Sequence, residues 1–415
     1  MPTPAPILRT ASWLTARRVR SHALILAACL WSVYLWNMAA PGLLDRTGNL
    51  KGTDFLHFYT LGTLALDHRG ADLYKMKEQS ELSAQRVPAA AGIRYLPLYP
   101  PQVSIFFAPF ARLAYPWALL LWLASSAFLY ALACGAVARA CPHLYRYRLT
   151  IFIVALAFPA FWHLIAWGQT SALALACFTL AFLALRKQRD FVAGLGLGCL
   201  IFKPQLGVAV AIVFLVSLRW KVIAGALLAS FAQIAAAFIY YGSGPLRKWL
   251  QTMRDAPKLI ALLEPRPYQT DCLRTFWSML ISGHALSLAL YLFSATLAAS
   301  FTIACWRSAL PLPLRYSALL LATVLLAPHL TVYDLVILAP AFLLLCDWIA
   351  AHTQDQATPY LKILLYLTFA LPLIGPLARW THLQLSVPTM AALLYMLWKL
   401  GTKSYSAETS FSERS

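Results

Sequence analysis

FVAGLGLGCLIFKPQLGVAVAIVFLVSL, residues 191–218, is an apolar run broken near its middle by Lys203-Pro204-Gln205. Read as one straight span, it would bury Lys203 at the centre of a bilayer, at a cost of about 2.5–3.5 kcal/mol. It would also set the basic pair Arg186-Lys187 on the opposite face from Arg219 and Lys221. Read as a hairpin, both basic clusters stay on one side. Each arm then has about 12–14 residues, roughly 18–21 Å of helix against a ~30 Å hydrocarbon core. Arms that short place Lys203 at the floor of a recess. Non-helical backbone at that depth is tolerated only where protein buries it or a wet cavity receives it, so the stretch predicts a cavity within a helical membrane protein.

The rest of the chain agrees with that class. It has 415 residues, 60% of them hydrophobic and only 12% charged, against roughly 25% charged in soluble domains. The net charge of +19 would suggest nucleic acid in a soluble protein. Here the basic residues fall between apolar runs, which is the pattern of a polytopic protein with its positive loops inside. No nucleic-acid partner is expected. The partner is the bilayer itself. The eight cysteines are scattered and mostly within apolar segments, with no metal-ligand spacing and no disulfide framework.

Outward from the hairpin, apolar runs at 21–40, 116–138, 149–166, 170–185, 222–241, 284–306, 316–328, 335–350, 360–377 and 384–400 complete an all-α architecture of about twelve transmembrane helices. Arg9, Arg17, Arg18 and Arg20 make residues 1–20 a basic cytoplasmic segment leading into a retained signal-anchor. Residues 21–400 form a single membrane domain with outer loops at 41–101 and 242–283, and 401–415 form a cytoplasmic tail. In the first loop, 55–68 reads as a helix at the membrane surface and 75–86 as a polar one. Tyr99-Pro100-Pro101 is a stiff turn.

The first loop also holds Gly52-Thr53-Asp54-Phe55-Leu56-His57-Phe58-Tyr59. Of the outer acids, Asp54 and Asp334 are the two next to a span in apolar or aromatic surroundings. A carboxylate beside an apolar wall can serve as a general base, because partial desolvation raises its pKa; Asp54 can equally cap the helix that follows. His57, three residues on, shares its helix face and reads as a ligand contact or as an interfacial ring. Gln169 sits at a tight outer turn. Lys203, at membrane depth, suits a phosphate. His329, followed by Tyr333-Asp334, reads as a site or as an internal polar contact. No Walker loop, dinucleotide fingerprint or nucleophile elbow is present, so a soluble nucleotide donor is not indicated. No cofactor and no metal are expected.

In their order and spacing these motifs resemble glycosyltransferase family 87, membrane enzymes of the GT-C fold that use polyprenol-phosphate sugars. The resemblance rests on Asp54-Phe55 with Phe58-Tyr59, Leu73-Tyr74, Tyr99-Pro100-Pro101 with Pro109, and Gly168-Gln169. It continues through Gly194, Gly196 and Gly198 to Lys203-Pro204-Gln205, and ends at His329 with Tyr333-Asp334. It covers roughly residues 25–345. It implies inverting transfer of a sugar, mannose by family habit, from a polyprenyl-phosphate donor to a hydroxyl of a glycolipid or glycan. The reaction would take place on the outer face of a bacterial cytoplasmic membrane. Asp54 looks like the family's base. His57, Tyr99, Gln169, Lys203, His329, Tyr333 and Asp334 are then expected to bind substrate. The rival class is a transporter or lipid flippase with a central polar site, against which the long first loop and the lack of an acidic relay both count.

Overall fold

The computed structural model describes residues 5–412; residues 1–4 of the expected N-terminal segment and 413–415 of the expected tail lie outside the described residues. The described chain is all-helical apart from isolated bridges. Among the described residues, six helices are long and apolar enough to cross a membrane, and a seventh span results if Pro142–Leu156 and Pro159–Trp167, bent by 46° at their break, count as one. The figure of about twelve took every apolar run as a crossing. Four of those runs, namely 170–185, the two arms of the hairpin and 316–328, are helices of 17 residues or fewer, at most about 26 Å long and so shorter than the ~30 Å core.

Burial explains much of this apolar excess. Leu312–Leu326 is covered from Tyr316 to Leu326 without interruption, and Ser171–Arg186 hides most of its residues. A helix that is apolar all round belongs inside a protein. These two are interior struts whose hydrophobicity records protein neighbours rather than lipid. The long helices Trp220–Tyr241 and His284–Arg307 stand outside them and expose Phe231, Ile239 and Phe293.

The hairpin forms as expected. Helix Asp190–Gly198 with its 3-10 extension Cys199–Phe202 makes one arm; Pro204–Gly207 and Val208–Val216 make the other. Lys203 lies between them with non-helical backbone. The decisive contact is at the open end. Arg219 Nη2 donates to both carboxylate oxygens of Asp190, at 2.8 and 2.7 Å. The residue that begins the first arm touches the one that follows the second, so both ends lie on one side of the bundle. The first arm packs backbone to backbone on Trp220–Tyr241: a Cβ at Gly198 would come within 2.2 Å of the Ala226 carbonyl oxygen.

Two expectations for the first loop fail. The helix Thr53–Leu66 does not lie on a surface: every residue from Phe55 to Ala65 is buried. The helix Gln102–Ala111 packs along it, and the polar helix Met76–Arg86 covers it further. Asp54 is not the helix cap either. The helix starts at Thr53, Gly52 occupies the cap position at φ 65°, and no side chain caps it.

Candidate active site

Two left-handed glycines set the geometry around Asp54. Gly52 precedes its helix and Gly168 ends the helix Pro159–Trp167, with φ of 65° and 72°. Their backbones pack together: a Cβ on Gly168 would lie 2.8 Å from Phe55 Cβ and 3.7 Å from Gly52 Cα. Glycine adopts this conformation at no steric cost and leaves room for the contact. Three aromatic side chains clamp the junction. Tyr115 Oη donates to the carbonyls of Lys51 and Gly52 at 2.8 and 3.0 Å, Tyr95 Oη donates to the Thr53 carbonyl, and Trp122 Nε1 donates to the Gly168 carbonyl at 2.9 Å.

The result is a fixed pair. Gln169 Nε2 donates to Asp54 Oδ2 at 2.7 Å, while the Thr170 N–H donates to Gln169 Oε1 at 3.1 Å. Asp54 is half-buried, and Gln169 is buried. Burial pushes the Asp54 carboxyl up to about 6, against the opposing pull of the Gln169 hydrogen bond and the Lys203 charge.

Asp54 opens on a cavity of about 1340 Å³. The other seven residues singled out in the sequence line the same cavity: His57, Tyr99, Gln169, Lys203, His329, Tyr333 and Asp334. His57 is 4% exposed, and neither ring nitrogen has a hydrogen-bond partner. Its ring sits between Tyr95 and Tyr99, with centroids 4.9 and 5.7 Å away. Burial lowers its pKa to about 3, so the imidazole is neutral.

Lys203 is committed elsewhere. Its Nζ donates to Asp334 Oδ1 at 2.6 Å and to Ser171 Oγ at 3.0 Å, and it stands 5.0 Å from the centre of the Tyr333 ring. Ser171 also donates to Asp334 Oδ1, at 2.5 Å. Lysine and aspartate are each only 3% exposed. A buried pair this close cancels its own charge, which leaves one ammonium hydrogen for anything else.

His329 belongs to a second cluster that the sequence did not disclose. Its Nδ1 is 2.7 Å from Glu264 Oε1, and Arg274 donates to Glu264 and to the Pro328 carbonyl. The Glu264 carboxyl is held below its ordinary range: the His329 and Arg274 contacts outweigh the effect of burial. The Asp271 N–H donates to the Leu330 carbonyl at 3.0 Å, fastening the second loop to the segment that carries His329. Glu264 and Asp271 are both buried, so Asp54 and Asp334 are not the only acids with apolar surroundings. The signal available in the sequence was an acid and an arginine ten residues apart in a basic loop, a pattern that usually marks a solvated face.

A multi-pass helical bundle whose polar side chains line one wide cavity of about 1340 Å³ defines a membrane protein with a large internal site. Residues 98–328, more than half of the chain, match glycosyltransferase family 87, and the chain belongs to that family. It is a membrane glycosyltransferase. No curated protein and no solved structure matches it.

Proposed function

We propose that this chain transfers a sugar, mannose by family analogy, from a polyprenyl-phosphate donor to a hydroxyl of a glycolipid or glycan, with Asp54 as the single general base. The observation that carries the reading is the Asp54 carboxylate itself. One oxygen is fixed by Gln169, and the residue faces the large cavity. A base with a pKa near 6 is ionised at neutral pH and still basic enough to accept a proton in the transition state.

In this reading the acceptor oxygen forms a bond to the anomeric carbon as the bond from that carbon to the phosphate oxygen breaks. The hydroxyl proton passes to Asp54, and the electron pair leaves with polyprenyl phosphate. Attack comes from the face opposite the phosphate, so the configuration inverts. A phosphate dianion is a good leaving group and needs no acid, but it does need positive charge and hydrogen-bond donors. His329 and Arg274 line the cavity and can offer N–H donors beyond their contacts to Glu264. Lys203 contributes its one uncommitted N–H, and its pairing with Asp334 makes it chiefly part of the cavity floor. His57, with two unpartnered ring nitrogens, suits a sugar hydroxyl, since a buried imidazole gains from any partner that reaches it. Tyr99 and Tyr333 would present ring faces to the sugar. In this reading the active site faces the outer side of a cytoplasmic membrane, because Arg139, Arg146 and Arg148 and then Arg186, Lys187 and Arg189 mark the short loops as the cytoplasmic ones.

The test uses full-length protein in lipid nanodiscs with a synthetic polyprenyl-phosphate mannose and a membrane glycolipid extract. The readouts are polyprenyl phosphate released and glycolipid extended. Asp54→Asn should lose about 10²–10⁴-fold in rate while still binding donor. Wild-type-like transfer by Asp54→Asn would remove Asp54 from the mechanism. Comparing the glycolipids of cells with and without the protein would identify the acceptor.

A further inference from the structure

A second cavity, of about 760 Å³, lies beyond the end of the Thr53–Leu66 helix remote from Asp54. Its floor is aromatic and its rim is cationic. Tyr240 Oη donates to the Ala65 carbonyl at 2.8 Å, and Tyr241 Oη lies 2.7 Å from Ser104 Oγ. The two rings meet edge to face with centroids 4.7 Å apart, and His68 stacks on Tyr240 at 5.3 Å. These contacts hold the floor rigid. Around it stand Lys75, Arg247 and Lys248. Lys75 is paired with Asp72 at 2.9 Å. Arg247 and Lys248 form no ion pair among the described residues; the polar contact of Lys248 is to Gln251, at 3.4 Å.

The position of this groove relative to the apolar surface matters most. Trp220–Tyr241 is one of the six long apolar helices, and it ends at these tyrosines. Tyrosines at the end of a span mark the level of the lipid headgroups. Just before them, Phe238 and Ile239 are 53% and 83% exposed, and Phe231 is 68% exposed. No protein covers them, so this face meets acyl chains. The helix that follows, Ser243–Asp255, buries Pro245 and Trp249, and Trp249 Nε1 donates to the Leu98 carbonyl at 3.2 Å. That anchoring holds Arg247 and Lys248 over the groove.

A molecule that satisfies uncompensated cations, a rigid aromatic floor and an apolar wall directly beneath them has a negatively charged head and acyl chains. We propose that this groove binds the anionic headgroup of a bilayer phospholipid, with its chains along the Trp220–Tyr241 helix. A zwitterionic lipid fits less well, because its ammonium would meet Arg247 and Lys248. The bound lipid would bridge the first and second loops, which both border the large cavity. The inference rests on the membrane setting of the chain and not on the transfer reaction.

The experiment incorporates full-length protein into phosphatidylcholine vesicles containing a minor fraction of phosphatidylglycerol. After extraction, the lipids retained on the protein are measured by mass spectrometry. Phosphatidylglycerol should be enriched on the wild type. Arg247→Gln/Lys248→Gln should lose that enrichment by about fivefold per cation, on the order of 20-fold together. The charge-preserving pair Arg247→Lys/Lys248→Arg should keep it, which separates loss of the site from loss of folding. Arg254→Gln/Lys258→Gln, on the same loop outside the groove, should also keep it. Unchanged enrichment in Arg247→Gln/Lys248→Gln overturns the proposal, as does equal loss in the Arg254/Lys258 pair, which would mean a diffuse basic surface. Displacement of the lipid by excess inorganic phosphate would show a free-phosphate site and would also overturn it.

Discussion

The Gln169 carboxamide faces Asp54 with its NH2 end, because its oxygen is already taken by the N–H of Thr170. An ionised carboxylate can only accept hydrogen bonds, so this orientation favours the charged form of Asp54 while burial opposes it. The balance leaves the carboxyl at about 6, raised from an ordinary 3.8. A general base works only when deprotonated. The rate of sugar transfer should therefore be flat above neutral pH and fall tenfold per pH unit as pH drops below about 6. A profile of kcat/KM against pH reads this value for the free enzyme. An acidic limb near 4 would mean that the group limiting the rate is not in the Asp54 environment.

Gln169→Glu makes the same relationship testable from the other side. It replaces a donor to Asp54 with a second carboxylate at hydrogen-bond distance. Like charges that close cannot both ionise, and one pKa of such a pair rises strongly. The acidic limb should then move up by about one unit or more, with little rate lost at high pH. Gln169→Ala, which removes the donor without adding charge, should move it less. If the limb does not shift in Gln169→Glu, Gln169 does not act through Asp54.

The hairpin was legible in the sequence because a lysine and a proline interrupted an apolar run too long for one short helix and flanked by basic residues on both sides. Asp190 and Arg219 then closed its open end. All eight candidate residues also reach one cavity. What could not be read is the contact that aims Asp54. Gly52 and Gly168 are more than a hundred residues apart, and their left-handed backbones have meaning only once the two turns meet. The helix Thr53–Leu66 carries polar residues, such as His57 and Thr60, that suggest a surface, yet neighbours close over it. The count of about twelve rested on every apolar run, whereas six or seven helices have the length and composition of a span; composition alone cannot separate a helix wrapped in protein, such as Leu312–Leu326, from one wrapped in lipid. The pairing of Glu264 with Arg274 and His329 depends on two distant segments being fastened together at Asp271 and Leu330.

Lys203 and Asp334 form a buried pair at 2.6 Å, so removing one partner strands the other charge away from water. Breaking such a pair costs about 3–5 kcal/mol, while replacing both partners with apolar groups of similar volume can be nearly neutral. Lys203→Met and Asp334→Leu should each sharply reduce the yield of monodisperse protein, and the double variant should recover much of it. Recovered folding with recovered transfer would make the pair purely structural. Recovered folding without transfer would assign the remaining N–H of Lys203 to substrate. Single variants that fold as well as the wild type would contradict the buried ion pair itself.

Asp271 provides a stability prediction whose sign follows from its surroundings. It is 5% exposed and accepts a hydrogen bond from Ser386 Oγ at 2.5 Å, tying the second loop to the start of the last helix. Burial outweighs that bond and pushes the carboxyl up to about 6 from an ordinary 3.8. The folded protein therefore binds a proton here more tightly than the unfolded chain does. The stabilisation from this group is fully present below the unfolded value and is lost as pH rises through about 6. The displacement corresponds to roughly 3 kcal/mol at neutral pH. Asp271→Asn keeps an acceptor for Ser386 without the buried charge. It should raise the thermal midpoint of detergent-solubilised protein at pH 8, and the gain over wild type should shrink towards zero by pH 4. A gain independent of pH, or a loss at pH 8, would show that the carboxylate has a compensating partner and that the loop is held in another way.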